Sequence, residues 1–250
     1  MKPSLKQQPQ RSLPSQQNNQ VRLQKYIAMN SNYSRRKAEE LILLGKISVN
    51  GKIIEEMGTR VDPDKDSVEI EGKPIQKNEE KIYLMLNKPA GFVTTRADLN
   101  AKKTVMELIK YKNVYPVGRL DKDTEGLLLF TNDGDFAYKL THPKFEHEKE
   151  YIVYLKKPFS PANKQLLENG IMIDFKKTAP CKIYNIQTNK NLISLSIVIH
   201  EGRKRQIRRM FEKIGNPLVF LKRVRVGKIM LGDLPQGEVR FLTADEIKSV

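Results

Sequence analysis

One short segment constrains the fold of this chain more than any other part of the sequence. It reads PVGRLDKDTEG and runs from residue 116 to residue 126. Gly118 and Gly126 permit positive φ angles near its two ends, and the apolar run 127–130 behind it has the composition of a buried strand. The pattern predicts a short acidic loop held rigidly against a core, and such loops often carry reactive side chains.

Metal binding and phosphoryl transfer are two chemistries that could use this loop. The first, third, fifth and sixth positions of an EF-hand calcium loop are matched by Asp121, Asp123, Glu125 and Gly126. Position twelve, however, is Asn132 in place of a bidentate glutamate, and a strand-like run follows instead of a helix. An aspartyl phosphotransferase fits less well, because it needs a buried apolar strand before its first aspartate and residues 118–120 read GRL.

A lone carboxylate, acting as nucleophile or base, is the third chemistry. Residues two apart in an extended segment point to the same side, so Arg119 and Asp121 could share one pocket wall. A neighbouring cation favours the ionised form of a carboxylate. The plainest alternative is that Asp121 and Asp123 only cap a turn. The loop residues alone leave these alternatives open.

The overall charge favours a polyanionic partner. The 250 residues include 45 Lys and Arg against 29 Asp and Glu, a formal net charge of +16. An excess of this size points first to nucleic acid. No apolar run approaches the roughly 20 residues of a membrane span, and no signal-type segment lies near the start. We therefore expect a cytoplasmic protein with no membrane partner.

The sequence contains few residues in patterns that bind a metal or a redox cofactor. Cys181 is the one cysteine, which excludes an intramolecular disulfide and a thiolate metal cluster. His142, His147 and His200 lack the i, i+4 pairing of a zinc-binding helix. We expect a mechanism without metal or cofactor.

The N-terminal part predicts a tail and a small domain. Residues 1–20 are rich in glutamine and proline and carry no acid, which predicts a disordered basic tail. From residue 21, apolar residues recur at helical spacing, Ser34 can cap a second helix, and Asn50-Gly51 is a strong hairpin signal. A charged connector at 76–80 predicts domains at 21–78 and 81–250. Cations expected on the outer surfaces of the first domain, where they would bind RNA, are Arg22, Lys25, Arg35, Arg36 and Lys37.

The C-terminal part predicts short strands and helices ending in a strongly basic region. Ten cations and two acids lie between Glu201 and Lys228. Ile207, Met210, Phe211 and Ile214 have the spacing of one buried helix face, and Arg205, Arg208 and Arg209 would share another. Arginine suits phosphate because its planar fork binds two oxygens at once.

Several segments resemble known families. LQKYIA at 23–28, SRRKAE at 34–39 and GKISVNG at 45–51 resemble the S4-type RNA-binding module. GRLD at 118–121, KPAG at 88–91, KEY at 149–151 and EGR at 201–203, followed by QIRRM at 206–210, resemble the motifs of the RsuA/RluB family of ribosomal RNA pseudouridine synthases. This resemblance implies an α+β fold. A small S4-like domain of two helices and a hairpin would precede a pseudouridine synthase domain with a largely antiparallel mixed sheet and flanking helices.

The resemblance also implies an activity and roles for single residues. A uridine would be isomerised to pseudouridine, with Asp121 as the essential aspartate and Asp123 as a bystander. Tyr151 would pack on the target base, Arg208 would pair with the aspartate, and Arg119 would help to hold the nucleotide extruded. Further RNA contacts are expected from Lys88, Arg203, Arg205 and Arg209.

The substrate and the competing class follow from the same resemblance. Segments 177–180 and 221–225 look closer to enzymes that act on large-subunit 23S RNA, with small-subunit 16S RNA as the other candidate. We expect a monomer whose partner is ribosomal RNA or a precursor of a ribosomal subunit. The alternative is a ribosome-assembly factor that binds this RNA without modifying it.

Overall fold

The structure, a computed structural model of the chain, describes residues 19–31, 33–76, 80–96, 102–189 and 192–250. The chain divides into two compact units, Met1–Asn78 and Glu79–Val250. The predicted disordered tail lies outside the described residues except for Asn19 and Gln20. No helix in the described ranges is long and apolar enough to cross a membrane.

The first unit combines two helices with short strands. Their bounds are β1 Val21–Arg22, α1 Leu23–Asn30, α2 Arg35–Leu43, β2 Ile47–Val49, β3 Lys52–Ile53, β4 Arg60–Val61, β5 Val68–Ile70 and β6 Lys73–Pro74. Ser34 caps α2 by accepting a hydrogen bond from the backbone N–H of Lys37 at 3.1 Å. Asn50 and Gly51 link β2 to β3 with φ angles of 51° and 78°, as a two-residue hairpin turn requires. The predicted helices and hairpin are confirmed.

The second unit alternates strands with short helices. Its elements are β7 Tyr83–Lys88, a 3-10 helix Val105–Leu108, β8 Tyr115–Val117, β9 Glu125–Thr131, α3 Gly134–Thr141, a 3-10 helix Pro143–Phe145, β10 Lys149–Leu155, α4 Pro161–Glu168, β11 Met172–Ile173, β12 Lys176–Lys177, β13 Lys182–Asn189, β14 Leu192–Ile199, α5 Gln206–Lys213, β15 Leu218–Val226, β16 Ile229–Met230, β17 Val239–Phe241 and α6 Ala244–Lys248.

A mixed, mostly antiparallel sheet organises the second unit. Among the described residues, nine strands form it, seven of them in the order β13-β14-β10-β15-β9-β7-β17. β16 pairs with β15, and β8 pairs with β9. β9 and β15 run parallel where Gly126 lies opposite Arg223. The α+β prediction is confirmed, and β9 lies in the interior of the sheet, between β15 and β7.

Helix α5 packs on this sheet with the predicted apolar face. Ile207, Met210 and Phe211 are buried in the same core cluster as Val153 of β10 and Leu221 of β15. Arg205 differs from the prediction, because it precedes the helix in a left-handed conformation with φ of 51°. Its side chain therefore does not extend the helical face of Arg208 and Arg209.

Candidate functional site

A cleft of about 470 Å³ opens beside the start of β9. This volume is within the range of small-molecule sites and can hold one nucleobase with part of its sugar. The walls combine the acidic loop, one aromatic ring and the basic segment before α5. Lining residues include Thr94, Gly118 to Lys122, Thr124, Tyr151 and Gly202 to Ile207.

The loop between β8 and β9 is fixed through its backbone. The hydroxyl of Thr94 donates to the carbonyl of Leu120 at 2.7 Å, and the N–H of Gly91 donates to the carbonyl of Lys122 at 2.8 Å. The N–H of Thr124 closes a turn on the carbonyl of Asp121 at 3.1 Å. Thr94 and Gly91 come from the segment after β7, so this segment supports the loop from one side.

Lys88 supports the same loop from below. Its side chain is fully buried, and its Nζ atom donates to the carbonyls of Pro89 at 3.0 Å, Lys122 at 3.1 Å and Thr124 at 2.8 Å. Burial lowers the pKa of Lys88 to about 8, against the opposing carboxylates of Glu125, Asp123 and Asp121. The predicted contact of Lys88 with RNA is therefore wrong, because no phosphate can reach a buried ammonium group.

Arg208 of α5 completes the anchoring. Its guanidinium donates to the carbonyl of Asp123 at 2.8 Å and to the hydroxyl of Thr124 at 3.4 Å. Burial lowers the pKa of Arg208, and the positive charge of Arg205 lowers it further, while Asp121 and Asp123 oppose the shift. Within the described residues Arg208 forms no ion pair with Asp121. In place of the expected direct pairing, Arg208 forms hydrogen bonds to the loop at Asp123 and Thr124. Each carbonyl from Leu120 to Thr124 thus accepts a hydrogen bond.

The predicted site residues meet in the cleft. Asp121 is half-buried on the anchored loop, and Arg119 is exposed two residues before it. Tyr151 is buried on β10, between Ile197 of β14 and Arg223 of β15. The carboxylate of Asp121, the guanidinium of Arg119 and the ring of Tyr151 therefore line one cavity, although Tyr151 comes from a separate part of the sequence.

Two of the predicted RNA-binding arginines have partners within the protein. Arg203 donates to backbone carbonyls of the β11–β12 hairpin, and Arg209 pairs with Asp174 in the same hairpin. Arg205 is exposed and lines the cleft. Direct RNA binding by these arginines stays a prediction.

The cations of the first unit face solvent to different degrees. Arg22, Arg35 and Arg36 are exposed, Lys37 is paired with Glu40 at 2.5 Å, and Lys25 is half-buried. RNA binding by this set also stays a prediction.

The calcium interpretation of the loop is wrong. The seven residues Glu125–Thr131 form strand β9, and a strand rises about 3.3 Å per residue, which carries Asn132 roughly 20 Å from the loop. The side-chain amide of Asn132 is occupied there, since it accepts from the N–H of Ile82 at 2.9 Å and donates to the carbonyl of Glu80 at 2.8 Å.

Sequence reasoning missed Thr94 as a part of the site. Its hydroxyl also accepts from the N–H of Leu120 at 3.3 Å, so one buried side chain holds both backbone polar groups of Leu120. An isolated threonine in a polar segment gives no such signal. The neighbouring KPAG motif at 88–91 was the nearest indication that this segment matters.

The buried ammonium of Lys88 gives a pH-dependent prediction. The pKa of this group falls from an ordinary 10.5 to about 8 on folding, so between these values the unfolded chain binds more protons and the free energy of unfolding rises with pH. The full contribution is about 3 kcal/mol. The measurement is urea unfolding of wild type and Lys88→Met at pH 7 and at pH 10. The free energy of unfolding of the wild type, relative to that of Lys88→Met, should rise between these pH values by up to that amount.

Lys122→Met serves as the control for loss of a lysine, because Lys122 lies on the loop that Lys88 supports and its side chain is exposed. If the difference in the free energy of unfolding between wild type and Lys88→Met does not change across this pH range, Lys88 is not a buried ammonium group with a lowered pKa.

Known proteins resemble this chain over both units. Residues 82–213 match the family model for RNA pseudouridylate synthase, and residues 21–67 match that for the S4 domain. Ribosomal large subunit pseudouridine synthase B of Bacillus subtilis (strain 168) is 43% identical over 91% of this chain and 94% of its own length. An uncharacterized RNA pseudouridine synthase of Aquifex aeolicus (strain VF5) is 37% identical over 91% and 92%. A crystal structure of pseudouridylate synthase aligns with a TM-score of 0.66 at 32% identity, covering 92% of this chain and 99% of that one.

Proposed function

Because this chain belongs to the RNA pseudouridine synthases that carry an N-terminal S4 domain, we propose that it isomerises one specific uridine of large-subunit ribosomal RNA, with Asp121 as the essential carboxylate. The observation that carries the assignment is the anchored loop. Asp121 lines the cleft together with Tyr151 and Arg119, on a loop whose carbonyls from Leu120 to Thr124 all accept hydrogen bonds.

The geometry suits a reaction on an extruded base. A base must leave its stack before an enzyme can turn it over, which costs a few kcal/mol. Tyr151 offers a ring against which uracil can pack, and Arg119 at the exposed rim can hold the displaced backbone. Charged groups held in advance need no reorganisation during the reaction.

The isomerisation balances without an external reagent. The bond between C1′ of the ribose and N1 of uracil breaks, and a bond between C1′ and C5 forms. C5 then loses its proton to solvent, and N1 gains one. Asp121 would supply the nucleophile or the base, and its attack on the sugar or on the uracil satisfies the same balance.

One relative supports large-subunit RNA as the substrate. The Bacillus subtilis relative carries the name of a large-subunit enzyme and aligns over nearly the whole chain. The charge of +16 and the exposed cations of the first unit suit a phosphate backbone. Both observations support a structured ribosomal RNA as the partner.

Pseudouridine mapping in ribosomal RNA tests this proposal. A strain lacking the gene should lose one pseudouridine in 23S RNA, and the wild-type gene should restore it. A gene encoding Asp121→Asn should not. Unchanged 23S and 16S RNA in the deletion strain would favour the assembly-factor alternative, and a loss in 16S RNA alone would correct the substrate.

A further inference from the structure

A hairpin beside the cleft presents an aromatic ring to solvent. β11 and β12 are joined by the two residues Asp174 and Phe175, with Ile173 opposite Lys176 in register. The Phe175 side chain is fully exposed, at 102% of its reference area.

The backbone at this turn is poorly suited to phenylalanine. Asp174 and Phe175 have φ angles of 50° and 60°, the combination of a two-residue turn that normally selects asparagine or aspartate followed by glycine. A single exposed apolar side chain is common on protein surfaces. A bulky ring in the left-handed region is uncommon, and outliers of this kind concentrate where a side chain has a function.

Arg203 of the basic segment and Arg209 of α5 hold the hairpin beside the cleft. Arg203, which lines the cleft, donates to the carbonyl of Lys176 at 2.9 Å and to the carbonyl of Ile173. Arg209 forms an ion pair with Asp174. The tip is therefore fixed relative to the cleft wall, and the negative charge of Asp174 is offset.

The charges that remain at the tip are positive. Lys176 and Lys177 directly follow Phe175, and both are exposed. An aromatic ring with adjacent cations is the composition of single-stranded RNA sites, where the ring stacks on a base and the cations contact phosphates. A membrane or an acidic peptide would use the cations but gives a lone, rigidly placed ring no planar partner.

We propose that the hairpin tip, defined as Phe175, Lys176 and Lys177, binds an unpaired nucleotide next to the uridine that enters the cleft. This inference rests on the proposed function. When the target uridine is extruded, the neighbouring base loses the base it was stacked on. The ring of Phe175 takes the place of the missing base at the rim of the cleft. The strain of the turn is the cost of presenting a ring at a position where glycine would fit more easily.

RNA binding by catalytically silent protein provides the test. Full-length Asp121→Asn and Asp121→Asn/Phe175→Gly are titrated with in vitro transcribed 23S RNA, free of modifications. Removing one stacked ring should weaken binding by roughly 5- to 150-fold. The slope of log affinity against log salt should stay constant for Phe175→Gly and should fall for Lys176→Gln/Lys177→Gln, by about 0.7 for each lost single-strand phosphate contact.

Control variants separate stacking from folding. Phe175→Trp should keep the affinity, and Phe175→Gly should not lower the unfolding midpoint, because glycine suits the turn. Phe241 is exposed on β17 and lines a different pocket, so Phe241→Ala should bind as the parent does. Equal affinity of the Phe175→Gly and parent proteins, or an equal loss with Phe241→Ala, would overturn the inference. Failure of the wild type to form pseudouridine would refute the proposed function and leave this binding comparison intact.

Discussion

Replacing Asp121 with asparagine should lower the rate of pseudouridine formation by on the order of 10⁴-fold or more, the scale expected when an essential nucleophile or base is removed. Asparagine keeps the size of the side chain and loses the charge. The loop should keep its place, since its carbonyls are held by Lys88, Arg208, Thr94 and backbone groups. Single-turnover release of tritium from 23S RNA labelled at uracil C5 measures the effect, because joining through C5 expels that hydrogen.

Asp123→Asn is the matched control for this experiment. Asp123 is exposed, and its backbone carbonyl, not its carboxylate, accepts the hydrogen bond from Arg208. We expect a change of less than about 10-fold, as for a charge near the site that does not contact the reacting atoms. Comparable losses in both variants would contradict the assignment of Asp121, as would tritium release by Asp121→Asn at the wild-type rate.

Local signals in the sequence predicted local structure well. Ser34 caps α2 through the N–H of Lys37 three residues on, and the Asn50-Gly51 turn joins two strands that pair directly across it, so each lies where it was expected. The acidic loop was also predictable, because glycines and a following apolar run depend on near neighbours alone.

Partners that meet only through strand register could not be predicted in this way. Lys88 reaches the loop because β7 pairs with β9 so that Lys88 lies opposite Gly126. Its partners Lys122 and Thr124 are 34 and 36 residues away in the sequence. β7 is buried on both faces, so alternation of polar and apolar residues did not show where the ammonium points.

The same limitation applies to the basic region. Charge counting identified Arg203, Arg205, Arg208 and Arg209 as a cluster suited to phosphate. In the structure Arg208 donates a hydrogen bond to a carbonyl of the loop. Arg203 and Arg209 instead contact a carbonyl and a carboxylate of the β11–β12 hairpin. A cation excess therefore predicts the chemistry of a region, while the fold decides which cations remain available to a ligand.

Gly126→Ala should lower the free energy of unfolding of the second unit by about 4 kcal/mol or more, an exceptional value for one methyl group. A Cβ atom at Gly126 would lie 2.1 Å from the carbonyl oxygen of Arg223. That contact can be relieved only if β9 moves away from β15, where the two strands pair in parallel. The hydrogen bond from Nε of Arg223 to the carbonyl of Leu127, 2.8 Å long, would be disturbed with them.

Gly237→Ala isolates the contribution of backbone strain. Gly237 has φ of 86° against 99° for Gly126, but nothing lies within 4 Å of a Cβ built there. Its substitution should cost only about 1–2 kcal/mol, the penalty for a side chain in the left-handed region. Urea unfolding followed by circular dichroism gives both values, and hydrogen exchange of the β9 amides should rise only in Gly126→Ala. Equal destabilisation would mean that backbone strain, and not the close approach of β9 to β15, requires glycine where the acidic loop enters the sheet.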